Sequence, residues 1–360
     1  MFPYFICLII ALLPAIFIKK DELARIDSNA SDISHTSREE KKRNIALFLI
    51  PLVLLIAFKG ETVGADTQSY NKMYMFMAED AFAGEISYER IEIGFKVLIK
   101  SLSSIWENPQ FLHIVYACFF FLAYKRFIKD NAVNAARFVV LFMGMSLFSF
   151  YLTGIRQSLA MLICLYAYAC IKDKKPVKFL VIVLFATLFH KAALFFLPAY
   201  SFARVKVTKN KILMYIGMLL FVAIANKLLF DFAADFFDLN YGIEETGNGY
   251  ISVAIMAIIT IFSFMKMQSL LALNPNNRYL INLNAIHTAM WVLRLFSRTA
   301  ERPSMFYTVF TILLVEQMIL TIEDYRERFL ANAAVMCFFG LYFIYRINGA
   351  GIVPFVFFWQ

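Results

Sequence analysis

Apolar residues in this chain gather into long runs, too uniform to be the one-sided stripe of a surface helix. The runs fall at 1–18, 44–58, 110–125, 133–152, 154–171, 178–189, 191–203, 212–230, 250–266, 281–297, 303–320 and 329–346, with short charged segments between them. About 20 helical residues cross the hydrocarbon of a bilayer. The pattern therefore predicts an all-α polytopic membrane protein of about 11–12 transmembrane or re-entrant helices joined by short loops. No repeat or low-complexity stretch divides it, so one membrane domain is expected over residues 1–360. The first run lacks a basic flank and a small-residue cleavage pattern, and is expected to stay as a helix.

The run from Val177 to Phe202 would reach about 39 Å as one helix, enough for one tilted crossing. Loop charge favours two short passes that turn at His190. Segment 19–43 carries Lys19, Lys20, Arg25, Arg38, Lys41, Lys42 and Arg43. If it faces the cytoplasm, the basic loops 125–129, 172–178, 204–211 and 324–328 join it there only when the chain turns at His190. A single pass would invert everything downstream. With the turn, both termini, segment 59–109 and the acidic segment 231–249 lie outside. Ile91 to Trp106 is amphipathic and is expected to lie in the interface plane of that outer face.

Composition agrees and removes several functions. The 360 residues are 61% hydrophobic, with 40 Phe and 18 Tyr, and the mean hydropathy is +0.66. A net charge of +9 would suggest nucleic acid in a soluble protein. Here topology explains it, and no nucleic-acid partner is expected. Cys7, Cys118, Cys164, Cys170 and Cys337 all lie within apolar runs without metal-ligand spacing, so they read as small buried hydrophobes. No metal site is expected. There is no GxSxG, Walker A, HExxH or dinucleotide-binding glycine turn, which argues against an ATP-driven pump.

Charged residues beside the apolar runs carry the candidate chemistry. Arg156 lies in Gly154-Ile155-Arg156-Gln157-Ser158, between two long runs and on the face away from the basic loops. Positive-inside anchoring does not explain it, so a forked contact to a phosphate or a sugar carboxylate is expected. The plainer alternative is an arginine snorkelling to the interface. His190, in Phe189-His190-Lys191, suits general acid or base work, against a polar hairpin tip. Arg298 and Arg302, four apart, would form an anion clamp if a helix ran on to Pro303, with Arg294 and Glu301 nearby; the alternative is a charged turn compensated by Glu301. Asp66 and Tyr70 could meet sugar hydroxyls, or Asp66 could be a turn or cap residue. His113 and His287 read as packing histidines, His35 as a loop residue, and Glu316 as an inter-helix hydrogen-bonding group.

These residues stand in an order that resembles a known group. Lys59…Gly64-Ala65-Asp66…Tyr70, Glu92-Ile93-Gly94-Phe95, Gly154 to Ala160, Phe189-His190-Lys191-Ala192-Ala193 and Ala300-Glu301-Arg302…Tyr307 together resemble the EpsG-like group, which includes the Wzy-type O-antigen and surface-polysaccharide polymerases. The resemblance spans nearly the whole chain. It implies a membrane glycosyltransferase at the periplasmic face of the bacterial inner membrane. Such an enzyme moves a growing glycan from one undecaprenyl pyrophosphate carrier to a repeat unit on another, with no nucleotide or metal cofactor. The implied partners are that lipid-linked oligosaccharide, the bilayer, and chain-length regulator or flippase proteins. Arg156, Arg298 and Arg302 would stabilise the leaving pyrophosphate, and His190 or Asp66 would take the acceptor proton. Glu301, Lys59 and Tyr70 join them as substrate-binding candidates. Where the group usually carries arginine this chain has Lys59, which keeps the charge and loses the fork. Two rivals remain: a flippase for the same lipid, though no inverted repeat is visible, and an O-antigen ligase, though the longer outer segment comes early.

Overall fold

The computed structural model describes residues 1–17, 35–79, 91–208, 212–228, 249–297 and 300–360. Its helices are α1 (Phe2–Ile16), α2 (His35–Ala57), α3 (Thr67–Glu79), α4 (Ile93–Ser103), α5 (Gln110–Asn131), α6 (Ala135–Gly144), α7 (Leu147–Thr153) and α8 (Ile155–Lys172). After them come α9 (Pro176–Thr187), a 3-10 helix (Lys191–Phe196), α10 (Pro198–Ala203), α11 (Ile212–Ile224), α12 (Tyr250–Met265), α13 (Met267–Leu273), α14 (Asn277–Arg294), α15 (Glu301–Leu320) and α16 (Tyr325–Ile347). The protein is an all-α polytopic membrane protein. Among the described residues, α5, α8, α15 and α16 are each long and apolar enough to cross a bilayer. Apolar runs 1–18, 44–58, 178–189 and 191–203 give helices too short to do so alone. The expected tally of 11–12 therefore mixes full crossings with shorter elements.

The chain shuttles between two ends of the bundle, and long-range hydrogen bonds fix which ends meet. At one end Tyr4 donates to the Ile352 carbonyl at 2.9 Å, and Gln110 at the start of α5 donates to the Ala57 carbonyl at the end of α2. At the other, Asn332 donates to the Ala15 and Ile16 carbonyls, Lys172 to Asn131, and Asn282 to the Ala203 and Val205 carbonyls. Glu316 also sits at this second end, buried, accepting from the backbone N–H groups of Val133 and Asn134. That is the inter-helix role its sequence position suggests.

Loops and helix ends carrying Lys172, Lys174, Lys175, Arg204, Lys206, Arg326 and Arg328 gather at this second end, and the chain does turn back at His190, bringing Phe179 against Phe196 and Tyr200. The loop pattern thus predicts the hairpin correctly. Most of segment 19–43, and the acidic segment 231–249 apart from Gly249, lie outside the described residues.

Four expectations change. Run 133–152 is two helices, α6 and α7, bent by 67°; Ser146 takes a left-handed φ of 61° at the break. Among its described residues, segment 59–109 carries α3 as well as the amphipathic α4, and they pack on each other. His35 opens helix α2 and is no loop residue. Cys118 and Cys337 are exposed on α5 and α16, while Cys7, Cys164 and Cys170 are buried.

The last residues run back over the first end. Gly60 N–H donates to the Val356 carbonyl at 2.7 Å, Gly64 N–H to Gly351, and Phe358 N–H to Phe58. The strap leaves Phe358 and Trp359 exposed there, where aromatic rings suit the bilayer interface.

Candidate active site

Gly154 separates α7 from α8 and places Arg156 in the first turn of α8. Arg302 occupies the first turn of α15. A helix N-terminus carries partial positive charge, so a cation there is opposed by the dipole. Two helices that each begin with such a cation, held side by side, create a strongly anion-attracting spot. They are side by side: Gln157 on α8 donates to the Arg302 carbonyl on α15.

Glu92, just before α4, completes the arrangement. Its Oε2 accepts from Arg156 Nη1 at 2.6 Å, and its Oε1 accepts from the Lys191 N–H at 3.0 Å. Arg156 keeps 23% of its side chain exposed, and its buried Nε has no hydrogen-bond partner. Glu92 was quoted in the sequence resemblance but not as a site residue. Its only sequence signal was an acidic group opening an amphipathic stretch.

His190 caps the 3-10 helix: its Nδ1 accepts from the Ala192 N–H at 3.1 Å. That bond fixes the tautomer, because a neutral ring accepting at Nδ1 carries its proton on Nε2. Burial pushes the ring down to about 4, opposed by Glu92 and reinforced by Arg156 and Arg302. His190 is thus neutral near pH 7, with an N–H at Nε2. The competing ring nitrogen already serves the backbone.

Behind this front lies a buried support. Lys59 is 1% exposed, and its ammonium donates to Thr67 Oγ1 at 2.7 Å and to the Leu152 carbonyl. Burial lowers it to about 7, with Asp66 pulling the other way. Lys59 therefore braces the loop before α3 against the end of α7, and does not offer itself to a ligand as its charge suggests. Gly64 makes that approach possible: its φ is +93°, and a Cβ there would stand 2.4 Å from the Leu152 oxygen. Asp66 is partly exposed immediately before α3. Tyr70 is buried on α3, its ring edge-on to Phe95 at 5.5 Å; burial raises its phenol, and Arg156 opposes that.

The remaining candidates separate. Helix α14 ends at Arg294 and α15 starts at Glu301. Arg298 lies outside the described residues. The Glu301 carboxylate sits between Arg294 at 3.0 Å and Arg346 at 3.7 Å, an arrangement that compensates both cations. His287 is a satisfied packing residue, bonded to Thr311, Trp291 and Thr308. His113 differs from that expectation: Nε2 pairs with Asn71 at 2.8 Å, but buried Nδ1 has no hydrogen-bond partner. Among the described residues no cluster of three His, Cys, Asp or Glu side chains could hold a metal ion.

Arg156, Arg302, His190, Glu92 and Tyr70 thus meet at the end away from the basic loops, in the same order along the chain as the quoted motifs. Comparison with known families settles the kinship: residues 43–357 match the EpsG family. The chain belongs to the EpsG family. No curated protein and no solved structure gave a significant match. EpsG membership points to a polysaccharide polymerase of glycosyltransferase type.

Proposed function

We propose that the protein joins undecaprenyl pyrophosphate-linked oligosaccharide repeat units into O-antigen or capsule-type chains at the periplasmic face of the inner membrane. One observation carries the reading: the first turns of α8 and α15, which carry Arg156 and Arg302, are held together by the Gln157–Arg302 bond beside the His190 turn, at the end opposite the basic loops. In the transfer, the acceptor sugar hydroxyl oxygen bonds to the anomeric carbon as the bond from that carbon to the pyrophosphate oxygen breaks. Arg156, Arg302 and the His190 Nε2–H meet the charge that develops on the leaving pyrophosphate. With His190 committed as a donor, Asp66 is the carboxylate that takes the acceptor proton. Lys59 and Tyr70 hold Asp66 and Arg156 from behind.

A deletion strain tests the class. Surface glycan reduced to a single repeat unit is the expected result. Loss of all surface glycan would point to a flippase or ligase.

Orientation is tested separately in a cysteine-free background. Ser69→Cys should react with a membrane-impermeant thiol reagent in intact spheroplasts, and Thr208→Cys should not. Labelling at position 208 alone would place the site on the cytoplasmic side.

The tautomer of His190 yields its own prediction. Glutamine can still present an N–H, so His190→Gln should retain chain growth within about tenfold, whereas His190→Ala should lose about 100-fold or more. Since the ring is neutral down to about pH 4, wild type and His190→Gln should share one rate profile from about pH 5 to about pH 8. A limb present in wild type and missing from the glutamine variant would restore His190 as the proton acceptor.

A further inference from the structure

We infer that Glu92 is a positioning residue for the transfer, the group that aims Arg156 at the leaving pyrophosphate; this rests on the polymerase reading above. One carboxylate ties two separate segments, the first turn of α8 through Arg156 and the His190 turn through the Lys191 N–H, at 2.6 and 3.0 Å. Its own backbone is fixed just downstream. Gly94 N–H donates to the Leu188 carbonyl at 2.8 Å, and a Cβ at Gly94 would stand 2.7 Å from that oxygen. The start of α4 is thereby seated on the hairpin beside Lys191 and Arg156.

Arg156 needs such a hold. The dipole of α8 opposes a cation in its first turn, and an unheld guanidinium would turn toward bulk water. Glu92 engages one Nη through one oxygen and leaves Nε without a hydrogen-bond partner. The Tyr70 phenol also meets this guanidinium, and the 23% of the side chain still exposed is what a second anion can reach. Both Glu92 oxygens already accept hydrogen bonds, from Arg156 and from the Lys191 N–H, which assigns this carboxylate a holding role distinct from that of Asp66.

The distinction from a plain fold clamp is kinetic. A misaimed arginine still attracts the ground-state anion but loses transition-state stabilisation, so turnover falls while binding persists. The test uses full-length wild type, Glu92→Gln, Glu92→Asp, Arg156→Lys and the Glu92→Gln/Arg156→Lys pair. Lipid-linked repeat units extracted from a polymerase-deletion strain serve as substrate, and inorganic pyrophosphate as inhibitor. Glu92→Gln and Glu92→Asp should each lower kcat about 10- to 100-fold, with KM and pyrophosphate inhibition within about threefold of wild type. The double variant should be no more than about threefold slower than Arg156→Lys, since both changes disable one guanidinium.

Fully multiplicative losses in the double variant overturn the inference. So does loss of one limb of the kcat profile in Glu92→Gln, which would make Glu92 the proton acceptor. Normal kcat with only a lower melting temperature would reduce it to a fold clamp. Should Glu92→Gln fail to reach the membrane, Glu92→Asp carries the test alone, and normal turnover there is decisive against it. Wild type that cannot lengthen chains removes the polymerase reading and this role together. Wild type and Glu92→Gln lengthening chains equally fast removes this role only.

Discussion

Replacing Arg156 with lysine should slow chain growth about 30- to 1000-fold although the positive charge is retained, a loss of about 2–4 kcal/mol in transition-state stabilisation. The geometry explains why charge alone is insufficient. Glu92 takes Arg156 Nη1 at 2.6 Å, so a planar fork can answer Glu92 and a phosphate oxygen at once, from different nitrogens. An ammonium at the end of a flexible stem has no second edge. Paired with Glu92 it would be turned from the substrate, and turned to the substrate it would leave a half-buried carboxylate unmatched. An arginine that merely snorkelled would be replaced by lysine without loss. The measurement is the long-chain glycan ladder from strains matched for membrane level. A normal ladder from Arg156→Lys would shift the role to Arg302 and Arg298.

Gly64→Ala should be nearly as damaging for a different reason. At φ +93° a side chain is strained by about 1–2 kcal/mol, and the added Cβ would lie 2.4 Å from the Leu152 oxygen and 3.0 Å from Thr67 Oγ1. Both are backbone-anchored neighbours of the Lys59 ammonium, so the loop must move as a unit, adding about 1–3 kcal/mol. That movement shifts Asp66, two residues along the same loop. A lower melting temperature in detergent and loss of long chains are expected together. Gly217→Ala supplies the control, because nothing lies within 4 Å of the added carbon and α11 gains helix propensity. If both alanine variants give the same ladder, the loop-packing account of Lys59 and Gly64 fails.

The residues of the site were only partly readable beforehand. Arg156 announced itself because an arginine beside an apolar run on the non-basic face has no cheap explanation. Lys59 misled for the same reason: its charge looked available, yet tertiary contacts bury it against Leu152 and Thr67. His190 was legible as a polar tip and a general acid or base, but not which ring nitrogen carries the proton, since its tautomer is set by the Ala192 N–H. Glu301 pairs with Arg346, which lies 45 positions away in sequence but 3.7 Å in space.

What the sequence determined by itself was the class of protein, the turn at His190 and the side on which the basic loops gather. Run length and loop charge are local quantities, and the bilayer acts on each segment separately. Only the tertiary structure decided where run 133–152 breaks, that α3 exists, and that Glu92 meets Arg156 across 64 positions. Those outcomes depend on which helix ends are neighbours, a property of packing among segments that no single segment encodes.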